Sequence, residues 1–226
     1  MSKVLFTLFS IFFVTCCFSQ VNISPNILAT PFQGDRFTMT SSADVEGTPL
    51  LFDNWKTGKI ILSNGQVYPL QKLNFDASKL KFIYSIKDTL FEMQDNVTQV
   101  RIDDERGGPG SANEMVFRND LLPGKTYFVQ LLTNGKVSIL RQFSKRPEGE
   151  NYTNGIIKET RKYVLHTSDV ILQDGNIIPL TYGSDALTQL TSDKKSEVEK
   201  YVKANHLKAK KEDDFLKIIN FYNSLP

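Results

Sequence analysis

Three turn dipeptides, each placed between two apolar runs, constrain the fold of this chain more than any other sequence feature. They are Asn64-Gly65, Asn134-Gly135 and Asp174-Gly175. A two-residue type I′ turn needs positive φ at both central positions, and Asn, Asp and Gly adopt that conformation most readily. The sequence therefore predicts three antiparallel hairpins, within a meander of strands over about residues 48–181.

Residues 79–87 show the alternation of apolar and polar side chains that is typical of a half-buried strand. One face carries mostly lysine and serine, whereas the other is apolar. The apolar face consists of Leu80, Phe82, Tyr84 and Ile86. Ile83 is an apolar residue on the polar face, so it does not fit the pattern.

A polar, glycine-rich stretch interrupts the β-rich region at residues 103–110. It separates two halves, at about 48–102 and 111–181. We expect a mainly β domain over residues 48–183, built as an antiparallel meander of hairpins. The sequence does not decide whether its strands form one curved sheet, a barrel-like sheet or two sheets.

After Gly183 the alternation gives way to helical spacing. We expect short helices within residues 184–226, packed on the sheet because short amphipathic helices are not stable alone. The first begins at Ser184, which could cap it, the second spans about 192–205, and the third begins at Glu212. The side chains expected to face the core are Val198, Tyr201 and Val202 of the second helix and Phe215, Ile218, Ile219 and Tyr222 of the third.

Residues 1–19 have the features of a secretion signal that is removed on export. Lys3 precedes an apolar run over residues 4–18, which ends at small residues. The run is shorter than the roughly 20 residues that a membrane helix needs, and a retained membrane anchor is the alternative. Cleavage after Ser19 fits best. Residues 20–47 are then an extended arm or linker, with a short strand at 36–39.

Both cysteines of the chain, Cys16 and Cys17, lie within this signal. A lipoprotein would carry its lipid on one of them, but neither follows the small residue that such processing requires. The mature chain is therefore expected to have no disulfide, thiol ligand or thiol nucleophile. Its core alone must hold it together, and a chain of this length can form one.

The charge of the chain is nearly balanced. Without Lys3 it has 26 basic and 25 acidic side chains, from totals of 27 and 25. This balance argues against nucleic acid or an anionic membrane surface as the main partner. We expect no integral membrane span in the mature chain. The expected location is periplasmic or extracellular, with association to the outer membrane left open.

Three stretches of the chain resemble a group of exported β-rich proteins common in Bacteroidetes bacteria. They are residues 46–58 (EGTPLLFDNWKTG), 194–205 (KKSEVEKYVKAN) and 211–223 (KEDDFLKIINFYN). The resemblance covers most of residues 46–223, and its motifs are mainly structural. It implies export and this β-rich organisation, and it supplies no activity and no site residues.

Metal-binding patterns are weak in this sequence. His166 and His206 are the only histidines, and neither has the spacing of a zinc motif. Asp103, Asp104 and Glu105 could hold Ca²⁺ in a flexible loop. A solvated connection fits these acids better, because Arg106 partly neutralises them and the alternating oxygen ligands of a calcium loop are missing. We therefore assign no metal or cofactor site.

Motifs for catalysis and for nucleic-acid binding are also missing. The sequence contains neither a nucleophile elbow nor an S-x-x-K element, and residues 107–110 lack the Lys-Ser/Thr of a phosphate-binding loop. The lysines of residues 194–211 alternate with acids, as on a solvated helix face. Trp55 lies beside Phe52, and this pair could stack on a sugar or peptide or could anchor the first strand. No catalytic residue is assigned.

Two classes of function remain. We favour an exported, non-enzymatic binding or scaffold protein of the cell envelope, whose partner is an unidentified envelope protein or polymer. The alternative is a hydrolase that acts on an envelope polymer with a dispersed active site. His166 distinguishes them. An enzyme needs it in a cleft with a serine and an acid, within about 3 Å of a nucleophile, whereas a binding module leaves it on a plain strand surface.

Overall fold

The computed structural model describes residues 31–38, 45–103, 114–149 and 161–226. The predicted signal, with Cys16 and Cys17, lies outside the described residues. So do most of the polar loop and most of the predicted arm.

Strands account for 47% of the described residues and helices for 20%, which confirms a mainly β protein with a helical segment at its C-terminal end. In the described chain the strands are β1 (Gln33–Arg36), β2 (Val45–Glu46), β3 (Lys56–Leu62), β4 (Val67–Asp76), β5 (Lys81–Ile86), β6 (Thr89–Met93), β7 (Val97–Asp103), β8 (Glu114–Arg118), β9 (Val129–Thr133), β10 (Ser138–Glu148), β11 (Arg161–Gln173) and β12 (Asn176–Pro179). The helices are α1 (Ser184–Leu190), α2 (Lys195–Ala204) and α3 (Glu212–Ser224), and a 3₁₀ turn at Ser192–Lys194 precedes α2.

These strands form one sheet in the order β1-β6-β5-β4-β3-β7-β8-β9-β10-β11-β12, with β2 beside β11. The pairing of β2 with β11 is parallel, and the pairings along the main order are antiparallel. The two predicted halves are joined through β7 and β8, where Asp103 pairs with Glu114. Among the described strands β1 and β12 do not pair with each other, so the sheet is open and not a closed barrel.

The Asp174-Gly175 turn between β11 and β12 has the predicted geometry. Asp174 has a φ of 51° and Gly175 a φ of 78°, the two positive values of a type I′ turn. Gln173 and Asn176 pair with each other on either side of it.

The Asn64-Gly65 hairpin between β3 and β4 exists, but its turn is not the predicted type I′. Gly65 has a positive φ of 83° and Asn64 does not. The Gly65 amide donates to the Leu62 carbonyl at 2.9 Å, and the Leu62 amide donates to the Gln66 carbonyl at 2.9 Å. These bonds define a three-residue loop, in which a type I turn is followed by a glycine bulge.

The Asn134-Gly135 hairpin also exists, but a longer loop replaces the predicted two-residue turn. The loop runs from residue 134 to residue 137 between β9 and β10, and Gly135 has a φ of 154°. Asn223 of α3 explains the difference, because it bonds both backbone groups of Val137. Its Oδ1 accepts from the Val137 amide at 2.9 Å, and its Nδ2 donates to the Val137 carbonyl at 2.8 Å. The helix therefore fixes the loop.

Strand β5 is half-buried, as its alternation predicts, except at Ile83. Phe82 and Tyr84 are fully buried on one face, in the cluster with Phe75 and Phe117 that we call the main core. Lys81 is exposed on the other face. Ile83 lies on that face too but is fully buried, because Phe37 and Leu50, from segments on either side of β2, cover it.

Residues 31–38, which belong to the predicted arm, are part of the sheet. The short strand predicted at 36–39 lies at Gln33–Arg36 instead, as β1, and it pairs with β6. Phe32 and Phe37 on either side of β1 are both buried. The apolar contacts of these two rings explain why the segment is held against the sheet.

The sheet curls enough for β10 to approach the end of β4. The amide of Lys145 donates to the carbonyl of Ala77 at 3.1 Å, and Lys145 Nζ donates to the carbonyl of Leu50 at 2.7 Å. The main core contains side chains from strands on both sides of this contact. Its densest part is a cluster of aromatic rings, in which Phe82 lies edge-on to Phe117 and to Phe128, each with centroids 5.1 Å apart.

The three helices pack on β9, β10 and β11, as predicted. The stripe on α3 is fully or almost fully buried, and it meets Ile139 and Ile171 of the sheet. The buried stripe comprises Phe215, Ile218, Ile219 and Tyr222. In α2, Val198 is buried, whereas Tyr201 is half-buried and stacks on Phe221 with centroids 4.0 Å apart. Ser184 does not cap α1, because Gly183 holds the N-cap position.

An ionic network also attaches α3 to the sheet. Arg141 of β10 donates to both carboxylate oxygens of Asp169 on β11, at 2.8 and 2.7 Å, and it lies 2.8 Å from a carboxylate oxygen of Glu212 at the start of α3. The hydroxyl of Tyr182 donates to Asp169 as well. Because the network is partly shielded from water, its bonds are stronger than those of surface pairs.

Candidate functional site

Strands β10 and β11 form a long ribbon that carries the candidate site. Their register runs from Ser138↔Leu172 to Glu148↔Lys162. Residues directly opposite each other in an antiparallel pair lie on the same face. Gln142 and Ser144 therefore share a face with Ser168 and His166.

A cavity of about 210 Å³ is lined by these four residues and also by Phe143 and Thr167, a pair on the opposite face, and it lies where the ribbon meets the main core. We call it the β10–β11 cleft. Its apolar lining includes Phe128, which is buried, and Phe143 and Leu80, which pack against the main core. The full set of lining residues is Leu80, Tyr127, Phe128, Gln142, Phe143, Ser144, His166, Thr167 and Ser168.

The polar groups of the cleft are mostly neutral. They are hydroxyls, an amide and the His166 ring, and each hydroxyl or amide can both donate and accept a hydrogen bond. The Gln142 amide lies 3.5 Å from the Tyr127 hydroxyl, which is a weak contact that a ligand could replace. A few neutral polar groups over an apolar floor are typical of small-ligand sites.

His166 has a carboxylate partner at the edge of the cleft. Its Nε2 lies 2.8 Å from Glu148 Oε1, which also accepts from Arg146 Nε at 2.8 Å. The Arg146 guanidinium, with a smaller contribution from His166, holds the pKa of the Glu148 carboxyl below its usual range. Glu148 is therefore ionised at neutral pH and orients the His166 ring.

The structure meets the condition set for an enzyme in part, and it does not show the plain strand surface that was expected of a binding module. His166 does lie in a cleft beside Ser144, with the acid Glu148 on its ring. In the described part of the chain, however, its ring is bonded to Glu148 and not to a serine hydroxyl. The backbone is also unsuitable. Ser144 pairs with His166 while the next amide, that of Lys145, points to Ala77. The Ser144 amide is thus directed into the ladder and cannot stabilise an oxyanion.

The other residues singled out in the sequence do not join this cleft. Trp55 packs with Ile83 and Leu50, whereas Phe52 packs on the main core near Phe117. The two rings therefore belong to different clusters and form no shared stacking surface. Trp55 is a half-buried anchor, which is one of the two roles considered.

His206 and the acidic loop have structural surroundings where the structure describes them. His206 has a φ of 54° just after α2, and the next amide, of Leu207, donates to the Val202 carbonyl at 3.1 Å. This bond is typical of a helix C-terminal cap. Asp103 accepts a hydrogen bond from Thr57 at 2.9 Å, whereas Asp104 and Glu105 lie outside the described residues. Among the described residues, no group of three potential metal ligands is present.

Sequence reasoning missed the β10–β11 cleft because its residues come from separate parts of the chain. Leu80 lies in a turn after β4, Tyr127 and Phe128 precede β9, and the rest lie on β10 and β11. No spacing rule connects them. The long β10–β11 register brings them together, and that register depends on loop geometry that the sequence does not give.

Within the described ranges, no helix has the length and apolar character needed to cross a membrane. Comparison of the chain with protein-family models, with curated proteins and with solved structures gives no match. The function must therefore be argued from the site itself.

Proposed function

We propose that this protein is an exported binding module of the cell envelope, and that the β10–β11 cleft holds one hydroxyl-rich ring or a similar small neutral group of an envelope polymer. The single observation that supports this is the convergence of neutral donors and acceptors, from Tyr127, Gln142 and Ser168, over an apolar floor. Sugar hydroxyls also donate and accept, so such groups match them in both directions.

The size and charge of the cleft support a neutral ligand. A volume of about 210 Å³ is below the usual 300–1,000 Å³ of drug-sized pockets, so it would hold one ring of a longer polymer. Glu148, the acid bonded to the His166 ring, is already paired with the Arg146 guanidinium. A cationic ligand would have to compete with Arg146 for this carboxylate, which favours a neutral ligand.

The binding proposal is tested by co-sedimentation of the full mature chain with insoluble polysaccharides, among them cellulose, chitin and purified peptidoglycan. We expect one of them to be bound. Gln142→Ala should weaken that binding about tenfold, because a net hydrogen bond is worth about 1 kcal/mol or slightly more. Gln71→Ala, at an exposed glutamine on β4, is the matched control and should bind as the wild type. Equal binding by both variants would contradict a role for the cleft.

One observation favours the second candidate, a hydrolase: Ser144, His166 and Glu148 lie together at this cleft. If the hydroxyl of Ser144 rotated onto His166, the three would have the order of a catalytic triad. Hydrolysis of p-nitrophenyl acetate and of the bound polysaccharide tests this. Turnover that is lost in Ser144→Ala, while polymer binding is kept, would establish the enzyme. We expect no turnover, because the Ser144 amide is directed into the β10–β11 ladder and the Lys145 amide is bonded to the Ala77 carbonyl.

A further inference from the structure

One edge of β11 is open over part of its length. Strand β10 pairs with residues 162–172 on the other edge. On the open side, β12 pairs with residues 170–173, and β2 pairs with Arg161 and Lys162. In the part of the chain that the structure describes, nothing pairs with residues 163–168 on this side. We call this gap the β11 slot.

The direction of the backbone groups in the β11 slot follows from its neighbours. The Leu180 amide donates to the Asp169 carbonyl at 2.9 Å, so Asp169 points its backbone groups to the open side. In a strand, alternate residues point these groups to the same side. Leu165 and Thr167 therefore present their amides and carbonyls to the slot, whereas Val164 and His166 bond to β10. Tyr163 offers its carbonyl alone, because the parallel pairing of Lys162 with Glu46 uses the Tyr163 amide.

Both ends of the slot are closed. Gly47, with a φ of 86°, turns the chain away directly after β2. At the other end, the bond between Leu180 and Asp169 continues the pairing of β12. The slot therefore accepts about six extended residues, or roughly 20 Å of chain. A second copy of β11 does not fit, because it is longer than the slot and carries its own β2 and β12.

The residues of the slot have none of the features that protect sheet edges. Natural edge strands avoid pairing with other chains through lysine, proline, bulges or short length. Residues 163–168 read Tyr-Val-Leu-His-Thr-Ser, which are mostly strong strand formers without lysine or proline. Val164 is 36% exposed and Leu165 43% exposed, on opposite faces of the ribbon. Such an edge is a ready template for pairing with another strand.

We propose that the β11 slot binds a short extended peptide segment of a protein partner by strand addition. Main-chain hydrogen bonds to the Tyr163 carbonyl and to the backbone groups of Leu165 and Thr167 supply affinity, and the exposed Val164 and Leu165 select uncharged, apolar or β-branched side chains at the centre of the segment. The slot lies on the open edge of β11, and its residues His166, Thr167 and Ser168 also line the β10–β11 cleft. This proposal does not depend on the function proposed for the cleft.

A labelled hexapeptide of alternating threonine and valine with blocked ends is the probe, and its fluorescence anisotropy is measured with the full mature chain. We expect saturable binding to the wild type, and none by the same peptide N-methylated at every residue. Leu165→Lys should weaken binding at least tenfold, whereas Val67→Lys, at an exposed apolar residue on β4, should not. The proposal would be overturned if the peptide did not bind or if the N-methylated peptide bound equally well. It would also be overturned if Leu165→Lys and Val67→Lys weakened binding equally.

Proline substitutions test the same slot without any ligand. Leu165→Pro removes an amide that faces the slot, so its melting temperature should stay within a few degrees of the wild type. Val164→Pro removes an amide bonded to β10 and should unfold the ribbon. Equal losses in both variants would show that the chain itself already fills the slot, which would overturn the proposal. The proposal would also be overturned if the wild type associated with itself and Leu165→Lys abolished that association, because the occupant would then be a second copy.

Discussion

Two residues of the β5–β6 hairpin adopt a backbone conformation that their side chains disfavour. Lys87 has a φ of 48° and Asp88 a φ of 62°. Ile86 and Thr89 pair directly on either side of them, so this is a second type I′ turn. The turn could not be predicted from the sequence, because a Lys-Asp pair is not a signal for it. The tight pairing of β5 and β6 imposes the conformation.

Lys87→Asn should therefore stabilise the protein. Asparagine tolerates positive φ better than lysine, for which the left-handed conformation costs roughly 1 kcal/mol. We expect the melting temperature to rise by about 2–4 °C, measured by thermal unfolding. Lys81→Asn, on the same hairpin but in an extended strand, should give no gain. A fall in melting temperature for Lys87→Asn would contradict the assigned strain.

Gly135 is the residue at which the sheet and the last helix come closest. A Cβ atom there would lie 2.5 Å from Asn223 Cγ. Gly135→Ala should cost about 2–4 kcal/mol of unfolding free energy, since it combines backbone strain with a clash. Gly124→Ala is the control, because Gly124 has a φ of 68° with nothing near its Cβ position, and it should cost about 1 kcal/mol. Denaturant unfolding measures both, and equal losses would mean that the contact with Asn223 is unimportant.

Among the elements, α3 contributes most of the buried side chains to the core between the helices and the sheet. Ile218 is fully buried between α3 and the sheet. Ile218→Ala should cost about 2–5 kcal/mol in urea unfolding. Lys217→Ala, at the neighbouring exposed position, should change stability by less than about 0.5 kcal/mol. A near-zero effect of Ile218→Ala would mean that the helix is a loose appendage.

The helical segment should also be sensitive to alkaline pH. Burial, with a hydrogen bond to Asp193, raises the pKa of Tyr222 to about 12. Burial, with the bond to Asp169, also raises the pKa of Tyr182. A raised pKa means that the folded state favours the protonated hydroxyl. This stabilisation is complete below the ordinary pKa of about 10, and it is lost as pH rises through 12.

We expect the unfolding free energy to fall between about pH 10 and 12, followed by circular dichroism in urea. Tyr222→Phe, which cannot ionise, should reduce the slope of that fall relative to the wild type. An unchanged slope would show that other groups determine the alkaline sensitivity.

The elements also show what a sequence can and cannot predict. The helical period of α3 was sufficient to predict its buried side chains, because those side chains lie on one face of the helix. Asp174-Gly175 was sufficient to predict a type I′ turn, and among the described residues nothing lies within 4 Å of a Cβ position at Gly175. Asn134-Gly135 was not sufficient, because Asn223, far along the chain, reshapes its loop. The burial of Ile83 and the assembly of the cleft likewise depend on partners that local pattern does not reveal.

At the scale of the whole molecule, the proposed export makes a direct prediction. The secreted protein should begin at Gln20, because cleavage after Ser19 fits the signal best. Intact mass and N-terminal sequencing of protein recovered from the periplasm or the medium test this. A lipid on Cys16 or Cys17 would show that the lipoprotein alternative is correct, and an intact N-terminus would show a retained anchor.

The order of strands in the sheet affects when the protein can fold. Strand β3 pairs with β7, β1 with β6, and β2 with β11, so each of these pairings waits for residues made much later. Folds dominated by such distant pairings form slowly, over milliseconds to seconds. The α3 helix, which fixes the loop after β9, is made last of all. A chain that emerges from its amino end therefore cannot complete its sheet early, and under the proposed export this delay would help to keep the chain unfolded for translocation.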